Sequence, residues 1–324
     1  MRFVVYGAGA IGGVVGAHLF ERGHEVTLIA RGAHLAAIRS NGLRLDDPDD
    51  SVVCAVAAVA SPGEADISAD DVVVLAMKTQ DTADALVALA AVAPPDITVA
   101  CAQNGVANER MVLRRFARVY GVAVLCPAQF LEPGIVQAHS SPTPGLLDIG
   151  SYPAGFDDRA EQIAAAFRES TFESVARPDI MRWKYRKLII NLGNAVQALC
   201  GLEAGGGELL DAVTAEGEAV LDAAGIERAT PDEDRERRGD HLRLRPIAGD
   251  RRQGGSTWQS LARGAGAIET DYLNGEIVLL GRLHDVPTPA NEMLQRLARQ
   301  SSIERRPPGS FTEAEILALI GEHC

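Results

Sequence analysis

The 324-residue sequence predicts an α/β protein in two parts, a doubly wound parallel sheet followed by a mainly α-helical C-terminal domain. Three observations carry that expectation. The length suits two cores of about 150 residues each. The first half alternates short apolar runs with helical periodicity, and beyond about residue 180 the periodicity is almost wholly helical.

At the N-terminus, FVVY (3–6) reads as a strand, GAGAIGGVVGAHLFERG as a glycine turn opening a helix, and EVTLIAR as a second strand. Gly7, Gly9 and Gly12 form G-x-G-x-x-G between strand and helix, with Ala10 and Ile11 inside the motif. That context marks a Rossmann-type dinucleotide turn, which needs a sharp bend, close backbone approach to a pyrophosphate and a helix N-terminus facing its charge. At the tip of the second strand an acidic residue would take the ribose hydroxyls of NAD, whereas a cation suits a 2′-phosphate. Arg31 stands there, so NADPH/NADP+ is the expected cofactor.

Further strands are expected at 52–60, 71–78, 98–105 and 119–127, with a helix at 82–93. These strands show little polar interruption, as in a sheet covered on both faces. Lys78 in MKTQD and Asn104 in AQNG lie at the ends of two of them, where ligands sit in open α/β folds, and are candidate cofactor contacts. Residues 132–151 read as two short strands about a proline turn, followed by a helix near 157–169. ARPDI (176–180) marks the expected boundary between an NADP-binding domain, 1–177, and a helical substrate domain, 178–324.

In the second domain, helices are expected at 181–200, 206–224, 257–264, 269–284 and 290–300. The densely charged 231–252 stretch reads as a solvated loop or a frayed helix. From Lys187 to Gly201 the first helix is mostly apolar, interrupted by Lys187, Asn191 and Asn194, which fall within roughly 60° of one another at about 100° per residue. A polar outer face would carry charges rather than amides, so this stripe reads either as the wall of a cleft or as a partly exposed face. Glu269 reads as a first-turn carboxylate of its helix, and Ser256 and Thr257 as caps of theirs.

Composition narrows the function classes. A formal net charge of −13 argues against a nucleic-acid partner. No run of 18 apolar residues favours a membrane span, and the first ten residues lack a signal-peptide layout, so a cytoplasmic protein is expected. The five cysteines, Cys54, Cys101, Cys126, Cys200 and Cys324, show no paired or zinc-ligand spacing and read as reduced core thiols. The seven histidines form no metal motif, and neither a P-loop nor a G-x-S-x-G elbow is present, so no metal is expected.

G-A-G-A-I-G, M-K-T-Q, Q-N-G, W-x-x-x-K-L-I-I-N, S-T-W-Q, I-E-T-D-Y-L-N-G and H-D-V-P-T-P occur in this order along nearly the whole chain. Together they resemble the ketopantoate reductase (2-dehydropantoate 2-reductase) family. The resemblance implies an NADPH-dependent reduction of a branched 2-oxoacid, with ketopantoate to pantoate the expected reaction and a homodimer possible through the helical domain. By the same resemblance Lys187 is the general acid, and Glu269 binds the hydroxyl side of the substrate and orients the lysine. Asn104 and Lys78 meet the cofactor near its nicotinamide ribose, while Ser256 and Asn191 hold the substrate carboxylate and hydroxyl.

The match departs on the substrate side. Family members commonly read N-x-x-x-N-P-L-T-A where this chain reads N-L-G-N-A-V-Q-A, so the second asparagine's substrate role would fall on Asn194 with altered spacing. G-S also replaces S-S before Thr257, with one extra residue between Ser256 and Glu269. That drift is compatible with a different 2-oxoacid or an opine-type substrate. A non-catalytic NADP(H)-sensing protein is the reading from another class, and retention of Lys187 with Glu269 speaks against it.

Overall fold

The computed structural model describes residues 1–204, 206–264, 266 and 268–322. Cys324 lies outside the described residues; Cys54, Cys101, Cys126 and Cys200 are free thiols, the first two buried and the others partly buried.

The chain runs β1 (Arg2–Tyr6), α1 (Ala10–Glu21), β2 (Glu25–Ile29), α2 (Gly32–Asn41), β3 (Leu43–Asp46), β4 (Ser51–Cys54), β5 (Ala57–Val59), β6 (Val72–Leu75) and α3 (Thr82–Ala90). It continues through β7 (Thr98–Cys101), α4 (Asn108–Leu113), β8 (Arg118–Leu125), β9 (Ala128–Gln129), β10 (Ile135–Ala138), β11 (Leu146–Ser151) and α5 (Asp158–Glu169). Then come α6 (Ile180–Cys200), α7 (Glu208–Ala223), α8 (Pro231–Arg238), α9 (Ser256–Ala262), α10 (Asn274–Leu283), α11 (Pro289–Ile303) and α12 (Glu313–Gly321).

Two compact units result, Met1–Lys184 with Pro231–Arg252, and Tyr185–Thr230 with Gln253–Cys324. In the first, a seven-stranded sheet has the order β11-β8-β7-β6-β1-β2-β5. It is parallel except for β11, which runs antiparallel to β8. This is the doubly wound arrangement the β-α-β pattern predicts. Successive side chains alternate between two cores: Phe3, Val5, Val72, Val74 and Ala100 enter one, and Val4, Val73, Leu75, Val99 and Cys101 the other. A strand buried on both faces has no polar side to display, hence the unbroken apolar runs.

The apolar 52–60 run is not one strand. Asp47 Oδ1 accepts from the backbone N–H groups of Asp49 and Asp50, turning the chain so that β4 pairs antiparallel with β3. After residues 55–56, β5 joins β2 in the main sheet instead. A uniformly apolar run carries no periodicity that would mark this break. The other members of the small sheet, ordered β4-β3-β10-β9, come from residues 128–138.

The charged 231–252 stretch is grouped with Met1–Lys184 in the first unit; as expected it is largely solvated, with a helix, α8, that buries none of its residues. Asp148 of β11, almost wholly buried, is gripped bidentately by Arg237 at 2.6 and 2.9 Å and by Arg177 Nε at 2.6 Å. Arg177 in turn lies over the Trp183 ring, 3.8 Å from its centroid. Arg182 pairs with Glu233, Arg245 with Asp49, and Leu244 bridges Ser140. Composition shows the charges but not that their partners lie between 51 and 196 residues away.

In the second unit Leu188, Ile189, Leu192, Ala195, Val196 and Leu199 of α6 are buried. A β-carbon on Gly217 of α7 would meet Leu192 Cδ1 at 2.7 Å and Ile189 Cδ1 at 2.8 Å, so the glycine lets α7 close on α6. α7, α10 and α11 pack on one another. Asn274 donates to Leu192 O and Asn291 Oδ1, and Asn291 Nδ2 to Val213 O, joining these helices by buried amides. The 269–284 helix begins later than expected: Glu269–Tyr272 is a 3-10 turn, Leu273 (φ −113°, ψ −88°) breaks it, and α10 starts at Asn274. α12, beyond the helices expected from periodicity, opens on a Thr312–Glu315 capping box, for which T-x-x-E is the sequence signal.

Burial of His18 of α1, edge-on to Phe172, pulls its imidazole from 6.5 down to about 4, with Asp47 pulling the other way. The folded state therefore binds the proton less readily than the unfolded chain. Stability that is complete above pH 6.5 is lost as pH falls toward 4, by roughly 3 kcal/mol at the lower limit. Burial lowers His24, His34 and His139 in the same direction. The urea midpoint is expected to drop between pH 7.5 and pH 5; equal midpoints would refute this.

Candidate active site

Each unit contributes one set of candidate residues. In the first, β1 ends at Tyr6 and the chain turns through Gly7 at φ +105°, a conformation that favours glycine. A β-carbon there would stand 2.5 Å from Met77 N. At Gly12, within α1, it would meet Gly7 O at 2.1 Å, Ala76 Cβ at 2.9 Å and Val5 Cγ1 at 3.0 Å, so the helix can lie on the strands only without a side chain. Gly9 differs, because a β-carbon there meets nothing within 4 Å.

Gly9 is the N-cap of α1, with Ala10 and Ile11 the first helical residues; no side chain caps the helix and its first turn holds no acidic residue. The backbone N–H groups and positive dipole end thus face the open side of Gly9. Those features fit the pyrophosphate of a dinucleotide. His34 braces the turn: its buried ring donates from Nε2 to Ala8 O at 2.7 Å and accepts at Nδ1 from Gly134 N at 2.8 Å. Both partners are satisfied by the neutral ring, and burial lowers its pKa.

Arg31 caps α2 at the end of β2, exposed and 3.6 Å from Asp81. Lys78 caps the 3-10 turn Thr79–Asp81 that follows β6, and Asn104 sits in the turn after β7, beside Gly105 at φ +76°. These two turns are cross-linked. Gln103 Nε2 donates to Met77 O and Thr82 Oγ1, Thr82 Oγ1 to Asn108 Oδ1, and Asn108 Nδ2 to Thr79 Oγ1 and Asn104 O, over 2.8–3.2 Å.

In the second unit Lys187 is partly buried, Asn191 buried and Asn194 partly buried along α6. Asn194 and Gln197 pack on the turn before α9. A β-carbon on Gly255 would lie 2.6 Å from Asn194 Oδ1, and Gly255 N donates to Gln197 Oε1 at 2.7 Å. Gly255, not Ser256 or Thr257, is the N-cap of α9, so the expected capping by those hydroxyls is corrected: with glycine at that position, both fall inside the helix. Ser256 Oγ is buried and has no hydrogen-bond partner among the described residues, leaving a hydroxyl to offer a ligand. Glu269 is buried at the start of the 3-10 turn, five residues before α10, so the first turn of that helix does not hold it.

Lys184, Glu109, Gln103, Asn108 and His34 carry structural roles at these turns that, Lys184 apart, no local motif marks. For Lys184 a signal existed: Lys184, Lys187, Asn191 and Asn194 are spaced 3, 4 and 3, one stripe of a helix. Among the described residues no group of three or more His, Cys, Asp or Glu is gathered for a metal, and no helix is long and apolar enough to cross a membrane.

Two family models match, ketopantoate reductase PanE/ApbA at residues 3–154 and the ketopantoate reductase PanE/ApbA C terminal at 179–302. The 2-dehydropantoate 2-reductase of Pyrococcus horikoshii is 29% identical over 310 residues, covering 92% of this chain and 97% of that relative. A PanE/ApbA family ketopantoate reductase from Ralstonia eutropha shares 30% identity at a TM-score of 0.79, over 94% of this chain and 100% of its own. D-mandelate dehydrogenase, solved with NADH and anilino(oxo)acetate, shares the fold at a TM-score of 0.81 with 22% identity, over 94% of this chain and 99% of its own.

Proposed function

The chain belongs to the ketopantoate reductase family, oxidoreductases acting on a CH–OH group, and on that premise we propose that it reduces 2-dehydropantoate to pantoate with NADPH. The observation that carries this reading is the family match on both units, on the one with the open glycine turn and on the one with the Lys187–Asn191 stripe.

The reduced nicotinamide, when bound, supplies a hydride to C2 of the oxoacid. Gly9, Ala10, Ile11 and Gly12 hold the pyrophosphate by backbone N–H groups, while Gly7, whose own N–H is given to Ile29 O at 3.1 Å, shapes the turn beside it. Arg31 takes the 2′-phosphate, while Lys78 and Asn104 position the nicotinamide ribose. Reduction at C2 builds negative charge on the carbonyl oxygen, and the Lys187 ammonium donates its proton there, yielding the alcohol. Glu269 orients Lys187 and binds the substrate hydroxyl. Asn191, Asn194 and Ser256 hold the carboxylate and hydroxyl, for which the unpartnered Ser256 Oγ is suited.

One observation favours a second reading, a different 2-oxoacid: Asn194 packs against Gly255, so the residue expected to meet substrate also shapes the turn carrying Ser256. NADPH oxidation by purified protein, with ketopantoate beside other 2-oxoacids and NADH as control, separates the readings. Efficient turnover of ketopantoate is expected. Turnover with another oxoacid alone would replace the substrate, preference for NADH would replace the cofactor, and NADPH binding without turnover would favour a sensor.

A further inference from the structure

We propose that Lys184 is a positioning residue for the cofactor, acting through Asn104. This rests on the reading of Asn104 as a cofactor contact. Lys184 is the last residue of the first unit, and its ammonium is buried at the carboxyl end of β7, beside the middle of β8. It lies 2.7 Å from Oε1 of Glu109, a wholly buried carboxylate on α4, and donates to Gln103 O at 2.9 Å, Val122 O at 3.2 Å and Cys101 O at 3.4 Å.

A buried ion pair is a costly way to fill a core, since a well-packed apolar pair of similar volume serves stability as well or better. What an apolar pair cannot do is hold carbonyls. Where β7 ends, the backbone leaves its ladder and the Gln103 carbonyl needs a donor; Lys184 is that donor, and Glu109 keeps the ammonium in place. Gln103 O belongs to the same planar peptide as Asn104 N, so anchoring it sets that plane. On the other side Asn108 Nδ2 holds Asn104 O, setting the next plane. Asn104 is thereby fixed between two anchored peptides. Through the Gln103 side chain, bonded to Met77 O, the same anchor is passed to the turn that carries Lys78.

The test is a double-mutant cycle on NADPH affinity, read by fluorescence titration. Lys184→Met with Glu109→Gln removes both charges together, so no buried ion is orphaned; Lys184→Gln with Glu109→Gln serves if that pair does not fold. The charge-free pair and Asn104→Ala are each expected to weaken NADPH about tenfold, and their combination to weaken it no further. A purely structural role would lower the melting temperature and leave NADPH affinity unchanged, which overturns the proposal; so does an additive combination. If Asn104→Ala alone leaves affinity intact, the reading of Asn104 fails and takes the positioning role with it.

Discussion

Lys187→Ala is expected to lower turnover at least about a hundredfold, within the range for loss of a general acid. Lys187 stands on α6 four residues before the buried Asn191, on a helix otherwise packed by Leu188, Ile189 and Leu192. A partly buried lysine loses its charge at little cost to that packing, so the variant should fold with a melting temperature close to that of the parent. NADPH affinity should change little, because the residues read as binding the dinucleotide lie in the first unit. The defect should therefore appear in the rate of NADPH oxidation at saturating NADPH and oxoacid. Near-normal turnover would remove Lys187 from the chemistry, and loss of NADPH binding would reassign it to the cofactor.

The two glycines of the turn are expected to separate folding from binding. Gly12→Ala forces a methyl to within 2.1 Å of Gly7 O, with Val5 and Ala76 closing the other sides. Overpacking of this kind costs about 1–3 kcal/mol or more when neither neighbour can yield, and here the nearest neighbour is backbone. Both the melting temperature and dinucleotide affinity should fall. Gly9→Ala places its methyl in open space, at a φ of −71° that alanine adopts freely. The melting temperature should hold, while dinucleotide affinity falls at least about tenfold because the methyl occupies the approach of the pyrophosphate. Calorimetry and NADPH titration on the same two proteins decide the matter. If Gly9→Ala binds as the parent does, the pyrophosphate does not lie against Gly9.

Much of this architecture is legible in local pattern. The glycine spacing, the strand-turn-helix context and the two-faced apolar strands at 72–75 and 98–101 are short-range signals, and the sheet order accords with them. The helical periodicity after residue 180 likewise places α6, α7 and α11 within a few residues. The structure departs from these signals where local pattern is silent. The 52–60 run divides between two sheets because of the Asp47 turn before it and the partners on either side. The 269–284 stretch is not one helix, because Leu273 separates the 3-10 turn Glu269–Tyr272 from α10, a break that the apolar spacing does not mark.

By itself the sequence determined the nucleotide turn, the strand–helix alternation of the doubly wound sheet and the stripe of Lys187, Asn191 and Asn194, each from residues a few positions apart, and the family from the order of short motifs along the chain. The tertiary structure decided that 231–252 joins the first unit, that Ser256 Oγ is left without a partner among the described residues, and that Lys184 meets Glu109 beneath the Asn104 turn. The physical reason is that a buried charge persists only with a partner and satisfied donors. Asp148 finds Arg237 89 residues away, and Lys184 reaches Gln103 O across 81. No periodicity of 2 or 3.6 residues encodes such a pairing; it exists only once the strands have been laid side by side.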